Sequence, residues 1–216
     1  MRWTTFARPL RQLAASAMLT VLATACSDRA RSDRSPAFLV MEVLEAASGA
    51  QPQEFGNFLN SDVETIVERQ INDRAVEVPS VFGDPGRATF RLALKNPGTS
   101  SSPLTPSPLN EITITRYRVT FRRADGRNTP GVDVPYAFDG AVTLTVPADA
   151  AASVTFELVR QQAKLEPPLS RLRRGGGANI ISTLAEVAFY GRDQAGHDVA
   201  VAGLLSVNFG DFSDPR

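Results

Sequence analysis

Two stretches near the C-terminus, ISTLAEVAFY (residues 181–190) and VAVAGLLSVNF (residues 199–209), decide the fold class. Ile181, Thr183, Ala185, Val187 and Phe189 occupy every second position of the first. Val199, Val201, Gly203, Leu205, Val207 and Phe209 do the same in the second. Successive side chains of a strand point to opposite faces, so a period of two builds one apolar face and one polar face. The intervening GRDQAGHD (residues 191–198) is turn chemistry, and the whole reads as an antiparallel hairpin.

The same period recurs upstream. In ATFRLALKN, Phe90, Leu92 and Leu94 share a face, with Arg91 and Lys95 opposite. In EITITRYRVTFRR the apolar parity changes from Ile112 and Ile114 to Tyr117, Val119 and Phe121. A one-residue shift would turn the apolar side over, so a bulge near Thr115–Arg116 is expected. Val134, Tyr136 and Phe138 form a further alternating set, as do Val142, Leu144 and Val146, and then Val154, Phe156 and Leu158. FLVMEVL (residues 38–44) reads as an opening strand and residues 46–60 as loop. Ser61-Asp62-Val63-Glu64 has the spacing of a helix capping box, but the β-branched VETIV run that follows favours a strand, with another at Val76–Val78. Gly83-Asp84-Pro85-Gly86 and Asp139-Gly140 read as turns, residues 99–108 as a Ser/Pro loop, and LSRLRR after Pro167-Pro168 as one helical turn. Eight to nine strands without a long helix predict an all-β, two-sheet antiparallel β-sandwich, immunoglobulin-like in the broad sense.

The N-terminus sets location. Arg2, Arg8 and Arg11 precede a mainly apolar run over residues 13–25, and the segment contains no acid. That is the order of a secretory signal. It ends LTVLATAC at Cys26, the single cysteine, and resembles the lipobox of bacterial lipoproteins, with Ala23 where leucine is preferred. The resemblance implies lipidation of Cys26. Two other readings compete, cleavage after Ala25 at an A-x-A site and an uncleaved membrane helix, for which the run is short. A lone exported thiol favours lipidation. SDRARSDRSP (residues 27–36) is polar and aperiodic, so residues 26–37 are expected to be a disordered tether between a signal at 1–25 and one domain at 38–216. Ser27 in place of aspartate implies, by the same resemblance, the outer membrane rather than the inner.

RLALKNPG (91–98), RYRVTFRRADGRNTPGVDVPYAFDG (116–140) and ISTLAEVAFYGRDQAGHDVAVAGLLSVNFGDF (181–212) carry a second resemblance. They are similar to a group of uncharacterised bacterial lipoproteins, over most of residues 61–215. This implies export and an immunoglobulin-like β-fold, and brings no known activity.

Charge narrows the function classes. Basic and acidic residues balance at 23 each, and loss of the signal leaves the chain mildly acidic, which argues against a nucleic-acid binder. Residues 86–174 hold 13 basic and seven acidic side chains, so pairing with acidic flanking strands is expected. The single histidine, His197, excludes histidine-rich zinc sites and two-histidine mechanisms. Trp3 is the one tryptophan and lies in the signal, which disfavours a sugar platform. RLRRGGG (residues 171–177) lacks the Lys-Ser/Thr ending of a phosphate loop.

Three candidates remain. Arg116, Arg118 and Arg122 lie opposite Tyr117, Val119 and Phe121; with Arg91 and Lys95 on a neighbouring strand they would form a face for an anionic partner. Asp125, Asp133, Asp193 and Asp198 are loop carboxylates of the kind calcium takes, without a D-x-D-x-D-G loop. His197 with loop carboxylates would suit a hydrolase, though no G-x-S-x-G is present. The expectation is a non-catalytic binding or scaffolding module of the cell envelope, without cofactor. It is held to the membrane through Cys26 and meets an envelope protein or an anionic surface.

Overall fold

The computed structural model describes residues 34–174 and 179–212. The chain is all-β and builds two principal sheets. Strands β1 (Ala37–Ala46), β5 (Asp84–Leu94) and β10 (Ala152–Val159) form the first, antiparallel with β5 central. The second has five strands: β2 (Phe58–Asp62), β12 (Asp198–Gly210), β11 (Ile181–Asp193), β8 (Ile112–Arg122) and β9 (Phe138–Val146), in that order. One pair departs from the antiparallel expectation. β2 runs parallel to β12, with Leu59 opposite Val207, so the segment read as loop over residues 46–60 ends in a strand.

The C-terminal hairpin has the register its alternation requires. Ile181 pairs with Phe209 and Arg192 with Asp198, leaving a loop of only residues 193–197. Thr183, Ala185, Val187, Phe189, Leu205, Val207 and Phe209 are all buried. The parity change in β8 is a bulge: pairing with β9 skips Thr115, from Ile114 to Arg116, and Tyr117, Val119 and Phe121 then join Ile112 and Ile114 in the core.

Aromatic rings join the two sheets. Phe90 of β5 and Phe156 of β10 meet Phe189 of β11 edge to face, at 4.9 and 5.2 Å between centroids. Tyr117 lies 5.0 Å from Phe156. Such pairs each add about 0.5–1.5 kcal/mol beyond their buried area.

Two expected turns are strand instead. Asp84-Pro85-Gly86 opens β5, and Asp139-Gly140 lies inside β9. Each glycine faces an aromatic ring across the ladder: Gly86 is opposite Phe156 and Gly140 opposite Tyr117. A Cβ on Gly86 would sit 2.5 Å from Phe156 Cζ, and one on Gly140 2.2 Å from Tyr117 Cζ. These glycines make room for rings rather than for a turn. Residues 134–137, read as strand, form a connection in which Val134 is buried and Tyr136 packs on Gly131.

The strand reading after residues 61–64 holds over the capping-box alternative. Asp62 accepts hydrogen bonds from the Glu64 amide and the Thr65 hydroxyl, and the chain enters strand β3 (Thr65–Ile71). With β4 (Arg74–Ser80), β3 forms a separate two-stranded ribbon that joins neither principal sheet. Asn72 and Asp73 at its tip both take positive φ (50° and 60°), the two-residue turn that fits strand twist. The Ser/Pro segment holds the two-residue strands β6 (Gly98–Thr99) and β7 (Ser102–Pro103). The helical content expected after Pro167-Pro168 is a 3₁₀ turn at Leu169–Leu172, preceded by the short helix α1 (Gln161–Leu165). No helix among the described residues is long and apolar enough to cross a membrane.

Candidate functional site

The fold has two poles. β1 and β12 run side by side: Gly203 of β12 lies against Met41 and Leu44 of β1. Near the start of both strands sit Ser35 and the 193–197 loop; near their ends sit Asp84, Asp62 and Gly210. The ten residues of β1, at about 3.3 Å each, separate these poles by roughly 30 Å.

At the first pole Asp193 organises the loop. Its Oδ1 accepts from the amides of Ala195 (2.9 Å) and His197 (2.8 Å), while Oδ2 lies 2.9 Å from His197 Nδ1. Ser35, itself buried, also hydrogen-bonds this carboxylate. Burial pushes the Asp193 carboxyl up, but the bonds from His197 and Ser35 outweigh it and hold the group below the usual carboxylate value. Ser35 and Ala37 are therefore already part of the fold, so the packed domain begins before residue 38.

This arrangement bears on the hydrolase alternative. Ser35 and His197 share one carboxylate, so Asp193 stands between them. A nucleophilic serine needs the imidazole as its immediate base, with the carboxylate behind. The order here is the wrong one for Ser35. What His197 does line is a cleft of about 290 Å³, with Arg34, Arg192, Gly196 and Asp198.

The four candidate calcium aspartates have other partners. Asp125 is held by Arg123 and Arg127, at 2.7 and 2.8 Å. Asp133 accepts from the Thr129 amide, and Asp198 from Arg192 Nε at 2.9 Å. Among the described residues no group of three or more His, Cys, Asp or Glu is placed to hold a metal ion.

The five-residue basic face is divided. Arg91 and Lys95 belong to β5 and its end in the first sheet, whereas Arg116, Arg118 and Arg122 lie on β8 in the second. The expected adjacency of their strands does not occur, because β8 pairs with β9 and β11. Most of these cations meet acids across the ladder. Arg118 lies 2.7 Å from Asp139, with Arg116 at 3.6 Å from the same carboxylate, and Arg122 lies 3.3 Å from Glu186. Arg91 pairs with Glu42 at 2.8 Å, and Lys95 stands 5.1 Å from the Phe38 ring centroid. Arg87–Glu45, Arg91–Glu42 and Arg122–Glu186 join the basic middle of the chain to its acidic flanks, the complementarity expected from composition.

The second pole holds a buried polar network that sequence reasoning missed. Asp84 and Lys164 form an ion pair at 2.8 Å, with side chains 0% and 1% exposed. Asp84 also accepts from Ser61 Oγ (2.6 Å) and the Gly49 amide (2.8 Å), and Lys164 donates to the Asp62 carbonyl (2.8 Å). Burial pushes the Asp84 carboxyl up against the downward pull of Lys164. The β3–β4 ribbon leaves the fold from this pole, with Ile71 and Val76 exposed.

Cys26, the signal, most of the tether and the Gly-rich end of RLRRGGG lie outside the described residues. Comparison with known protein families, with characterised proteins and with solved structures finds no match in any of the three.

Proposed function

We propose that the chain is a lipid-anchored, non-catalytic binding or scaffolding module of the cell envelope, built as an immunoglobulin-like β-sandwich. The sandwich reading is supported by two sheets facing each other across one aromatic core. The anchor reading rests on the lipobox-like sequence before Cys26, and its resemblance to lipoproteins favours the outer membrane.

The polarity of the fold carries the functional reading. The chain arrives at Ser35 on one pole, and the β3–β4 ribbon projects from the other, about 30 Å away. A module held at the first pole presents the ribbon away from its anchor. A two-stranded ribbon outside both principal sheets offers exposed side chains, Ile71 and Val76 among them, to a protein partner.

Affinity capture from detergent-solubilised envelope tests this. The native protein is compared with a variant whose residues 66–79 are replaced by a short Gly/Ser turn. The reading expects a partner retained by the native protein and lost from the variant, with β-structure intact by circular dichroism. The same partners on both proteins, or none on either, would overturn it.

A further inference from the structure

Beyond that reading, the geometry points to an anion site at the first pole: a cleft between Arg34, Arg192 and His197 that takes a phosphate-bearing group, such as a membrane phospholipid headgroup.

Two clefts adjoin there. The first, about 290 Å³, is lined by Arg34, Arg192, Gly196, His197 and Asp198. The second, about 320 Å³, shares Arg192 and Asp198 and adds Arg116, Tyr190, Gly191, Thr113 and Thr115. Both lie near the low end of the roughly 300–1,000 Å³ typical of small-molecule sites. Arg192 and Asp198 form their shared wall, and together the two clefts gather three arginines and the single histidine against one half-exposed carboxylate, Asp198, which already bonds Arg192.

The cations are set in place by neighbours that leave donor capacity. Arg192 uses Nε toward Asp198, so its terminal nitrogens have no bond to that carboxylate. Arg116 lies over the Tyr190 ring at 4.3 Å, which orients its guanidinium, and its contact with Asp139 is long at 3.6 Å. His197 is oriented by Asp193 at Nδ1 and carries Nε2 on the other side of the ring. Gly196, at φ +83°, supplies the left-handed residue that the loop needs to turn back to His197. Arginine's planar fork suits phosphate oxygens, and Thr115 adds a hydroxyl to the lining, that of Thr113 being bonded to Thr145.

Position supplies the source. The clefts surround the point where the chain enters the fold, so an N-terminal anchor would bring them toward lipid headgroups. That step rests on the anchor reading; the phosphate chemistry does not.

The test uses the chain from residue 26 carrying Cys26→Ser, so that no acyl group contributes. Two probes are used. The first is sedimentation with vesicles of phosphatidylcholine alone or mixed with phosphatidylglycerol. The second is inorganic phosphate, followed by the NMR signals of His197, unambiguous as the single histidine. Retention on the anionic vesicles alone is expected, reduced about tenfold or more by Arg34→Ala with Arg192→Ala, since charge-assisted bonds are being removed. Arg74→Ala, on the ribbon, is expected to leave retention unchanged. A His197 shift with phosphate but no vesicle retention would support the site and assign it a soluble phosphate ligand. Neither response, or equal loss in Arg74→Ala and the double variant, would overturn the proposal. Cys26 lipidation is read separately by mass spectrometry, so failure of the anchor leaves the phosphate arm decided on its own.

Discussion

Lys164 Nζ lies 2.8 Å from Asp84 Oδ1, and neither side chain reaches solvent. The pair ties α1 to the first residue of the central strand β5, and through Ser61 and the Asp62 carbonyl to β2 in the other sheet. A buried ion pair is weak evidence of net stabilisation, because desolvation of two charges offsets their attraction. Its asymmetry is the important property: loss of one partner strands the other.

That asymmetry gives the first prediction. Asp84→Ala and Lys164→Met should each cost about 3–5 kcal/mol in denaturant unfolding. The double substitution should cost clearly less than their sum, because no uncompensated charge remains. Additive costs would show that the two side chains do not act as a pair.

The cross-strand pairs Tyr117–Gly140 and Phe156–Gly86 give the second. Gly140→Ala forces a methyl onto the Tyr117 ring and should destabilise by about 1–3 kcal/mol, as overpacking does. In a Tyr117→Leu background the same substitution should cost measurably less. An equal cost in both backgrounds would place the strain in the backbone rather than against the ring.

These glycines also mark where sequence was legible and where it was not. Alternation located β8, β11 and β12 and the sides they bury, because period two survives whatever the strand pairs with. The bulge at Thr115 was legible for the same reason, as a parity error with one simple repair. Gly86 and Gly140 read as turn residues because glycine just after Asp-Pro or Asp has the same local chemistry in a turn as under a ring. The difference lies in Phe156 and Tyr117, distant in sequence from one or the other. The division of the arginine face was hidden likewise, since side alternation does not state which strand lies alongside. Asp84 and Lys164 are 80 residues apart, and neither segment carries a periodic signal that would mark a buried charge.

The third prediction follows from Asp193. Its carboxyl is held below the usual value of 3.8, so the stability it contributes is fully present above that value and is lost as pH falls through the lower folded one. Asp193→Asn should be less stable than the native protein at neutral pH, by about 1–3 kcal/mol for a buried charged acceptor removed from its hydrogen-bond donors. The gap should narrow below about pH 4, where the carboxyl of the unfolded chain begins to protonate, and go on narrowing as pH falls through the lower folded value. Denaturation midpoints at neutral and acid pH check this. A gap that stays constant or widens on acidification would contradict the assigned direction.

The last prediction concerns Cys26. Eight residues separate it from Ser35, which the Asp193 carboxylate binds at the first pole. Fully extended, they reach at most about 28 Å, so a lipid on Cys26 would hold that pole within a short distance of the bilayer. A single acyl chain anchors only marginally, whereas a diacylated cysteine anchors firmly. Mass spectrometry of the mature N-terminus should therefore find diacylglycerol on Cys26 as the first residue. Cys26→Ser should lose the firm anchor, so that high salt releases it from the membrane fraction while the native protein stays, with its β-structure unchanged. A mature chain beginning elsewhere, or bearing an unmodified cysteine, would remove the anchor from this account.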